Sequence, residues 1–113
     1  MDDLSVKTRG QVLVDLMIHA LRVTGDVLNA HAAHLLAQLG GEHVCRLVRE
    51  AASRSNSPAY RLRLLDVIER IGELPTADDW LTLTVLAADK NLQIRHAAAR
   101  CLVRWHVRAT PVP

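Results

Sequence analysis

Apolar residues recur about every 3.6 positions along most of the chain, and the strict alternation of a β-strand is absent. This spacing predicts amphipathic α-helices with one buried face each. Six such segments are separated by short polar or glycine-containing breaks, and they cover about residues 6–23, 26–39, 42–53, 58–71, 76–89 and 92–106. The predicted fold class is therefore all-α.

Polar and glycine residues mark the ends of these segments. Side chains that commonly cap a helix N-terminus precede or begin four of them: Asp26, Ser57, Thr76 and Asn91. Pro58 suits the first helical position, and Asp79 follows Thr76 at capping-box spacing. Glycine, which favours the left-handed C-terminal position, follows three segments, in the breaks at Thr24-Gly25, Gly40-Gly41 and Gly72.

The even-numbered helices align with one another at offsets of 32 and then 34 residues. One column of this alignment holds Asn29, Arg61 and Arg95, and another holds Leu39, Ile71 and Trp105. The odd-numbered helices align as well, with small residues at their ends, so the sequence predicts three repeated helical hairpins. They form a single domain, 1–113, with repeats at about 10–40, 41–73 and 76–107 and a tail at 108–113.

The second helix of the last repeat, with the turn before it, resembles the second helix of a HEAT repeat. The matching residues are Asp89, Ile94, Arg95, Ala98, Ala99 and Leu102. The middle repeat keeps the arginine but has Ser55 and Asn56 where an aspartate is expected, and the first repeat departs further. Armadillo and bilin-lyase-like repeats fit the same features. The resemblance implies a short right-handed α-solenoid, with Arg95 and Arg61 in structural roles and Asp89 or helix-end carbonyls as their acceptors. Trp105 is expected in the core.

Composition limits the other options. Half of the residues are apolar but only 3% are aromatic, so the predicted core is built from Ala, Leu, Val and Ile. The net charge of +2 requires no polyanionic partner.

Cys45 and Cys101 match no metal or redox spacing, which favours a reducing compartment. With no signal-like N-terminus and no apolar run of roughly 20 residues, we expect a soluble cytoplasmic protein that does not contact membranes.

The second helices of such hairpins usually line the binding surface of a solenoid. Their predicted outward positions form three columns, His31/Arg63/Ala97, His34/Asp66/Arg100 and Gln38/Arg70/Arg104. This stripe is net basic. The predicted binding residues are His31, His34, Arg63, Asp66, Arg70, Arg100 and Arg104. A solvated face without a ligand is the alternative interpretation.

The sequence carries no pattern that predicts catalysis or a cofactor. His31 and His34 share a helical face, but two histidines fall short of the three or four ligands that zinc needs. A histidine followed directly by a glutamate, the order expected of di-iron HEAT-repeat hydroxylases, does not occur, and neither does a phosphate-binding loop or a nucleophile elbow. We therefore expect a protein that is not an enzyme and needs no metal.

These observations favour an adaptor that binds a protein or peptide, preferably an acidic one, along its second helices. The alternative is binding of a nucleic-acid backbone through the same arginines, as some HEAT-like DNA-repair proteins do. The last hairpin has no following hairpin to cover its apolar residues around Trp105. Self-association through this C-terminal end is therefore a further hypothesis.

Overall fold

The structure is a computed structural model that describes residues 9–23, 26–39, 43–74 and 76–109. These residues form six α-helices and no β-strand, which confirms the all-α prediction. Their bounds are α1 Arg9–Arg22, α2 Asp26–Leu39, α3 Val44–Ala52, α4 Pro58–Ile71, α5 Ala77–Leu86 and α6 Leu92–Ala109.

The ends of α4 follow the sequence signals. The Ser57 hydroxyl accepts a hydrogen bond from the backbone N–H of Tyr60 at 3.2 Å, and Pro58 occupies the first turn. Gly72 ends the helix with φ 68°, and its N–H donates to the carbonyl of Ile68. Glycine suits this position because a Cβ atom would be strained in the left-handed region.

The last hairpin has its predicted caps, but its turn lies earlier than expected. Thr76 Oγ1 accepts from the N–H of Asp79 at 3.2 Å, and Asn91 Oδ1 accepts from the N–H groups of residues 93 and 94. Helix α5 ends at Leu86 rather than near Asp89, because the N–H groups of residues 88 and 89 bond carbonyls only three residues back. Helix α6 continues beyond the predicted His106 to Ala109.

Several predicted boundaries lie outside the described residues. These are the start of the first helix at residues 6–8, the glycine breaks at Gly25 and Gly40-Gly41, the start at residue 42 and the tail from Thr110. The side chain of Asp26, predicted to cap α2, also lies outside them.

Consecutive helices pack as hairpins, α1 on α2, α3 on α4, and α5 on α6. Helix α4 lies between α2 and α6 and packs against both, while α3 packs against α5. The three second helices therefore form one layer, in which α4 is central. This arrangement places the predicted binding residues of different hairpins side by side.

The core lies between these helices and is aliphatic, as the composition predicts. Its largest fully buried side chains are Leu21, Leu36, Leu47, Leu64, Leu65, Ile68, Leu83 and Ile94. Buried alanines such as Ala32, Ala51 and Ala98 let neighbouring backbones approach closely. Trp105 and Leu39 are partly buried and pack against this cluster, and Ile71 belongs to it.

Ion pairs connect neighbouring hairpins. Asp15 of α1 pairs with Arg46 of α3, and Arg22 at the end of α1 pairs with Glu50 at 2.8 Å. The Arg22 guanidinium also lies 5.0 Å from the centre of the Tyr60 ring, a cation–π distance. Burial is the main cause that raises the pKa of the Tyr60 phenol above its usual value.

Candidate functional site

Two polar side chains in the predicted arginine column bind equivalent carbonyls in their own hairpins. Asn29 Nδ2 donates to the carbonyl of Ala20 at 2.8 Å, and Arg61 Nε donates to the carbonyl of Ala51 at 2.7 Å. Ala20 and Ala51 occupy the same aligned position near the end of the preceding helix. These bonds satisfy carbonyls that a helix end leaves without a partner.

Arg61 also links the second hairpin to the third. Its Nη2 lies 3.4 Å from Asp89 Oδ2, and both side chains are nearly buried. The other carboxylate oxygen accepts from the N–H of Asn91 at 2.8 Å. This backbone hydrogen bond and the nearby Arg61 charge hold the pKa of Asp89 below its usual value, against the opposing effect of burial.

Arg95 does not share the environment of Arg61. The resemblance gave both arginines structural roles, with Asp89 or helix-end carbonyls as acceptors, but the side chain of Arg95 is exposed on α6. Asp89 is instead bound by Arg61 of the preceding hairpin. The physical reason is the order of packing: Arg61 points into the contact between two hairpins, whereas the described residues contain no further hairpin beyond α6 that would cover Arg95.

The second helices place most of the predicted binding residues at the surface. Six of the seven are exposed: His31, His34, Asp66, Arg70, Arg100 and Arg104. Arg63 is only partly exposed, and Ala97, expected in the same outward column, is buried at 2% exposure. The outward assignment of Ala97 is therefore wrong, because this position of α6 turns toward the core.

Three of the four predicted arginines are bound within the protein. Arg63 Nη1 donates to the carbonyl of Leu21 at 2.8 Å. Arg70 pairs with Asp66 at 3.2 Å, one helical turn away, and Arg100 pairs with Glu69 of α4 at 3.1 Å. Arg104, in contrast, has no ion pair or hydrogen bond of its side chain within the described residues. Fewer arginines of the basic stripe are therefore available to a ligand than the sequence alone indicates.

Two open grooves lie on this layer. One lies between α2 and α4, and the other lies along α6 beside Glu69 of α4 and is called the α4/α6 groove. The α2/α4 groove has a volume of about 300 Å³ and is lined by Leu21, Asn29, Ala30, Ala33, Leu62, Arg63, Asp66 and Arg70. It therefore combines three predicted binding residues with small alanines of α2. His31 and His34 line neither groove.

The α4/α6 groove is larger, about 500 Å³, and is lined by Glu69, Ala99, Arg100, Val103, Arg104 and Val107. Arg100 and Arg104 were predicted as binding residues, while the other four were not. Val103 and Val107 are 62% and 66% exposed. Ala99, Val103 and Val107 follow one another at intervals of four residues, and this spacing in the sequence is the signal for an apolar stripe beside the arginines.

The two cysteines lie in different environments. Cys101 is buried, its Sγ donates to the carbonyl of Leu65 at 3.3 Å, and burial raises the pKa of its thiol to about 12. Cys45 is exposed, and both cysteines are free thiols. Within the described part of the chain, no group of three or more His, Cys, Asp or Glu side chains is arranged to hold a metal ion.

Comparison with known proteins found no matching family model, no matching curated protein and no matching solved structure. The candidate site therefore rests on the geometry of this chain alone. None of the described helices combines the length and apolarity that crossing a membrane requires.

Proposed function

We propose that this protein is a non-enzymatic interaction module that binds a partner protein on the layer formed by α2, α4 and α6. In this proposal its three hairpins form a short HEAT-like solenoid. The α4/α6 groove is the observation that carries the proposal. It combines exposed aliphatic side chains with an arginine that is not bound within the described residues, and partner proteins bury such combinations at the centre of an interface.

Packing supports the use of this layer as a binding surface. Helix α4 is held between α2 and α6, and the Arg61–Asp89 pair connects its first turn to the last hairpin. A surface fixed in this way loses little conformational freedom when a partner binds. The proposed mechanism is therefore recognition by a rigid surface.

Nucleic-acid binding remains the alternative for the same face, but the ion pairs of the structure favour it less. Binding to a phosphate backbone depends on several cationic side chains that are available to contact phosphates. Asp66 and Glu69 pair with Arg70 and Arg100, and they add negative charge to the same surface. A cytoplasmic location stays a prediction, in agreement with the two free thiols.

Affinity capture from a lysate of the source organism, with and without nuclease, tests the proposal. The wild-type protein would be compared with a double variant, Arg70→Glu and Arg104→Glu, in which both changes lie on exposed second-helix positions. The matched control is Arg49→Glu with Arg54→Glu, because these exposed residues carry the same charge on α3 and on the turn that follows it. We expect a stoichiometric protein that survives nuclease, is lost with the first variant and is retained with the control.

Other results would contradict the proposal in distinct ways. Capture that disappears on nuclease treatment would favour the nucleic-acid alternative. A protein partner that is lost equally with both double variants would indicate a non-specific charge effect. Retention by both variants would place the binding surface outside this layer.

A further inference from the structure

The α4/α6 groove contains two parallel ridges of different chemistry. Ala99, Val103 and Val107 follow one another at four-residue intervals and form an apolar ridge on α6. Arg100 and Arg104 form a second ridge with the same spacing. Ridges of side chains four residues apart are the features through which one α-helix packs into the grooves of another. The surface therefore has the shape and spacing that suit a helical partner.

The charge of this region specifies the partner further. No Asp or Glu follows Asp89 in the sequence, so α6 carries only basic side chains among its charged residues. Glu69 of α4 already binds Arg100. Arg104 lies beside the same apolar ridge and has no carboxylate partner within the described residues. An arriving carboxylate near Arg104 would complete the pattern that Glu69 and Arg100 form one turn earlier.

We infer that the α4/α6 groove binds an amphipathic α-helix of another protein, with aliphatic side chains on the ridge of Ala99, Val103 and Val107 and a carboxylate on Arg104. Binding of an amphipathic helix in an apolar groove is a common mode of peptide recognition. This inference rests on the proposed function and names its partner class. It also predicts that the helix carries its acidic residues on one flank of the apolar stripe.

A second copy of this chain is a poorer occupant, because the charges oppose it. If α6 of one molecule packed on α6 of another through the same ridge, the arginines of both copies would be brought together. Like charges in contact across an interface weaken binding and select against that partner. Other exposed aliphatic side chains, such as Leu16 of α1 and Val85 of α5, have no arginine within four residues along their own helix.

Fluorescence anisotropy with synthetic peptides tests the inference. The probe is a labelled peptide of about 16 residues, long enough for marginal helix formation, with leucines on one face and glutamates on the rest. A second peptide has lysine in place of each glutamate, and a third has a proline in its centre. We expect saturable binding of the glutamate peptide and at least tenfold weaker binding of the other two.

Variants of the protein locate the site. Val103→Asp should weaken binding of the glutamate peptide at least tenfold, and Arg104→Glu about fivefold, the upper range for an exposed ion pair. Val85→Asp is the matched control, since Val85 is equally exposed but lies on α5. If Val103→Asp does not fold by circular dichroism, Arg104→Glu against Arg49→Glu makes the same comparison.

Equal binding of the lysine and glutamate peptides, or equal loss with Val85→Asp and Val103→Asp, would overturn the inference. Self-association of the free protein in sedimentation, if Val103→Asp abolishes it, would also overturn the inference. The occupant of the groove would then be a second copy of this chain. A lysate partner that depends on Arg70 and Arg104 while the glutamate peptide does not bind would retain the proposed function and reject only the acidic helix. Failure of the proposed function would instead appear as lysate capture that is insensitive to those arginines.

Discussion

Arg61 and Asp89 join two hairpins through a nearly buried ion pair, with Nη2 3.4 Å from Oδ2 and only 7% and 11% of the side chains exposed. Arg61 also donates to the Ala51 carbonyl, and Asp89 accepts from the Asn91 N–H. This pair of residues thus connects α3, α4 and the turn between α5 and α6. The pair is expected to fix the position of the last hairpin relative to the central helix.

Replacement of Arg61 by methionine should destabilise the protein by about 3 kcal/mol, because it removes one partner of a buried ion pair and leaves the other without compensation. Denaturant unfolding followed by circular dichroism measures the change. Arg95→Met is the matched control, and it should change the free energy of unfolding by no more than about 0.5 kcal/mol, as expected of an exposed residue. A larger loss for Arg95→Met than for Arg61→Met would contradict the assignment of the structural role to Arg61.

Stability should also depend on the charge of Asp89. Its pKa is lowered in the folded protein, so the folded state binds its proton less readily than the unfolded state does. The stabilisation is present above the unfolded pKa of about 3.9, and it is lost as the pH falls through the lower folded pKa. We expect the free energy of unfolding to decrease on acidification below about pH 4, and Asp89→Asn to remove part of this dependence. An Asp89→Asn variant that keeps the full wild-type dependence on pH would contradict this assignment.

The hydroxyl of Ser57 should contribute measurably to the stability of α4. It accepts the Tyr60 N–H in the first turn, and loss of such a cap typically costs about 1 kcal/mol. Thermal or denaturant unfolding of Ser57→Ala should show this loss, whereas Ser57→Asp, which keeps an acceptor at the cap, should stay within about 0.5 kcal/mol of the wild type. Identical stability of the alanine and aspartate variants would argue against a role for the cap.

The two cysteines should differ sharply in reactivity. The thiolate is the reactive form, and Cys101 is buried with its pKa raised to about 12, while Cys45 is exposed. A chromogenic thiol reagent should modify Cys45 quickly in the native protein and Cys101 only on unfolding. Cys45→Ser should abolish the fast phase. A fast phase that survives this substitution would mean that Cys101 is accessible in the native state.

Helix positions were predictable because they depend on local chemistry. Ser57, Gly72 and Asn91 act on backbone groups within a few residues, so their roles follow from the sequence and the structure places each as predicted. The end of α5 was less predictable, since a tight turn at residues 87–89 competes with one more helical turn. Helix ends differ by small energies, and the surrounding packing decides between them.

The candidate site was only partly predictable. Arg70, Arg100 and Arg104 lie on the exposed layer as helical spacing indicates, and the four-residue spacing of Asp66 and Arg70 is that of an ion pair along one helix. Spacing does not reveal that Glu69 binds Arg100. The partner of Arg100 comes from the neighbouring hairpin, and a contact between residues 31 positions apart depends on how the hairpins pack. Ala97 shows the same limit, because a small residue carries no signal for which side of α6 turns inward.

The sequence by itself determined the helical class, most of the helix limits and the aliphatic core, because periodicity, caps and small side chains act locally. Only the tertiary structure decided that Arg61 rather than Arg95 binds Asp89, and that Val103 and Val107 lie exposed in a groove beside Arg104. Both outcomes depend on which hairpin covers which helix face. That choice is made by packing between distant segments, which buries Arg61 against Asp89 and leaves Val103 and Val107 uncovered.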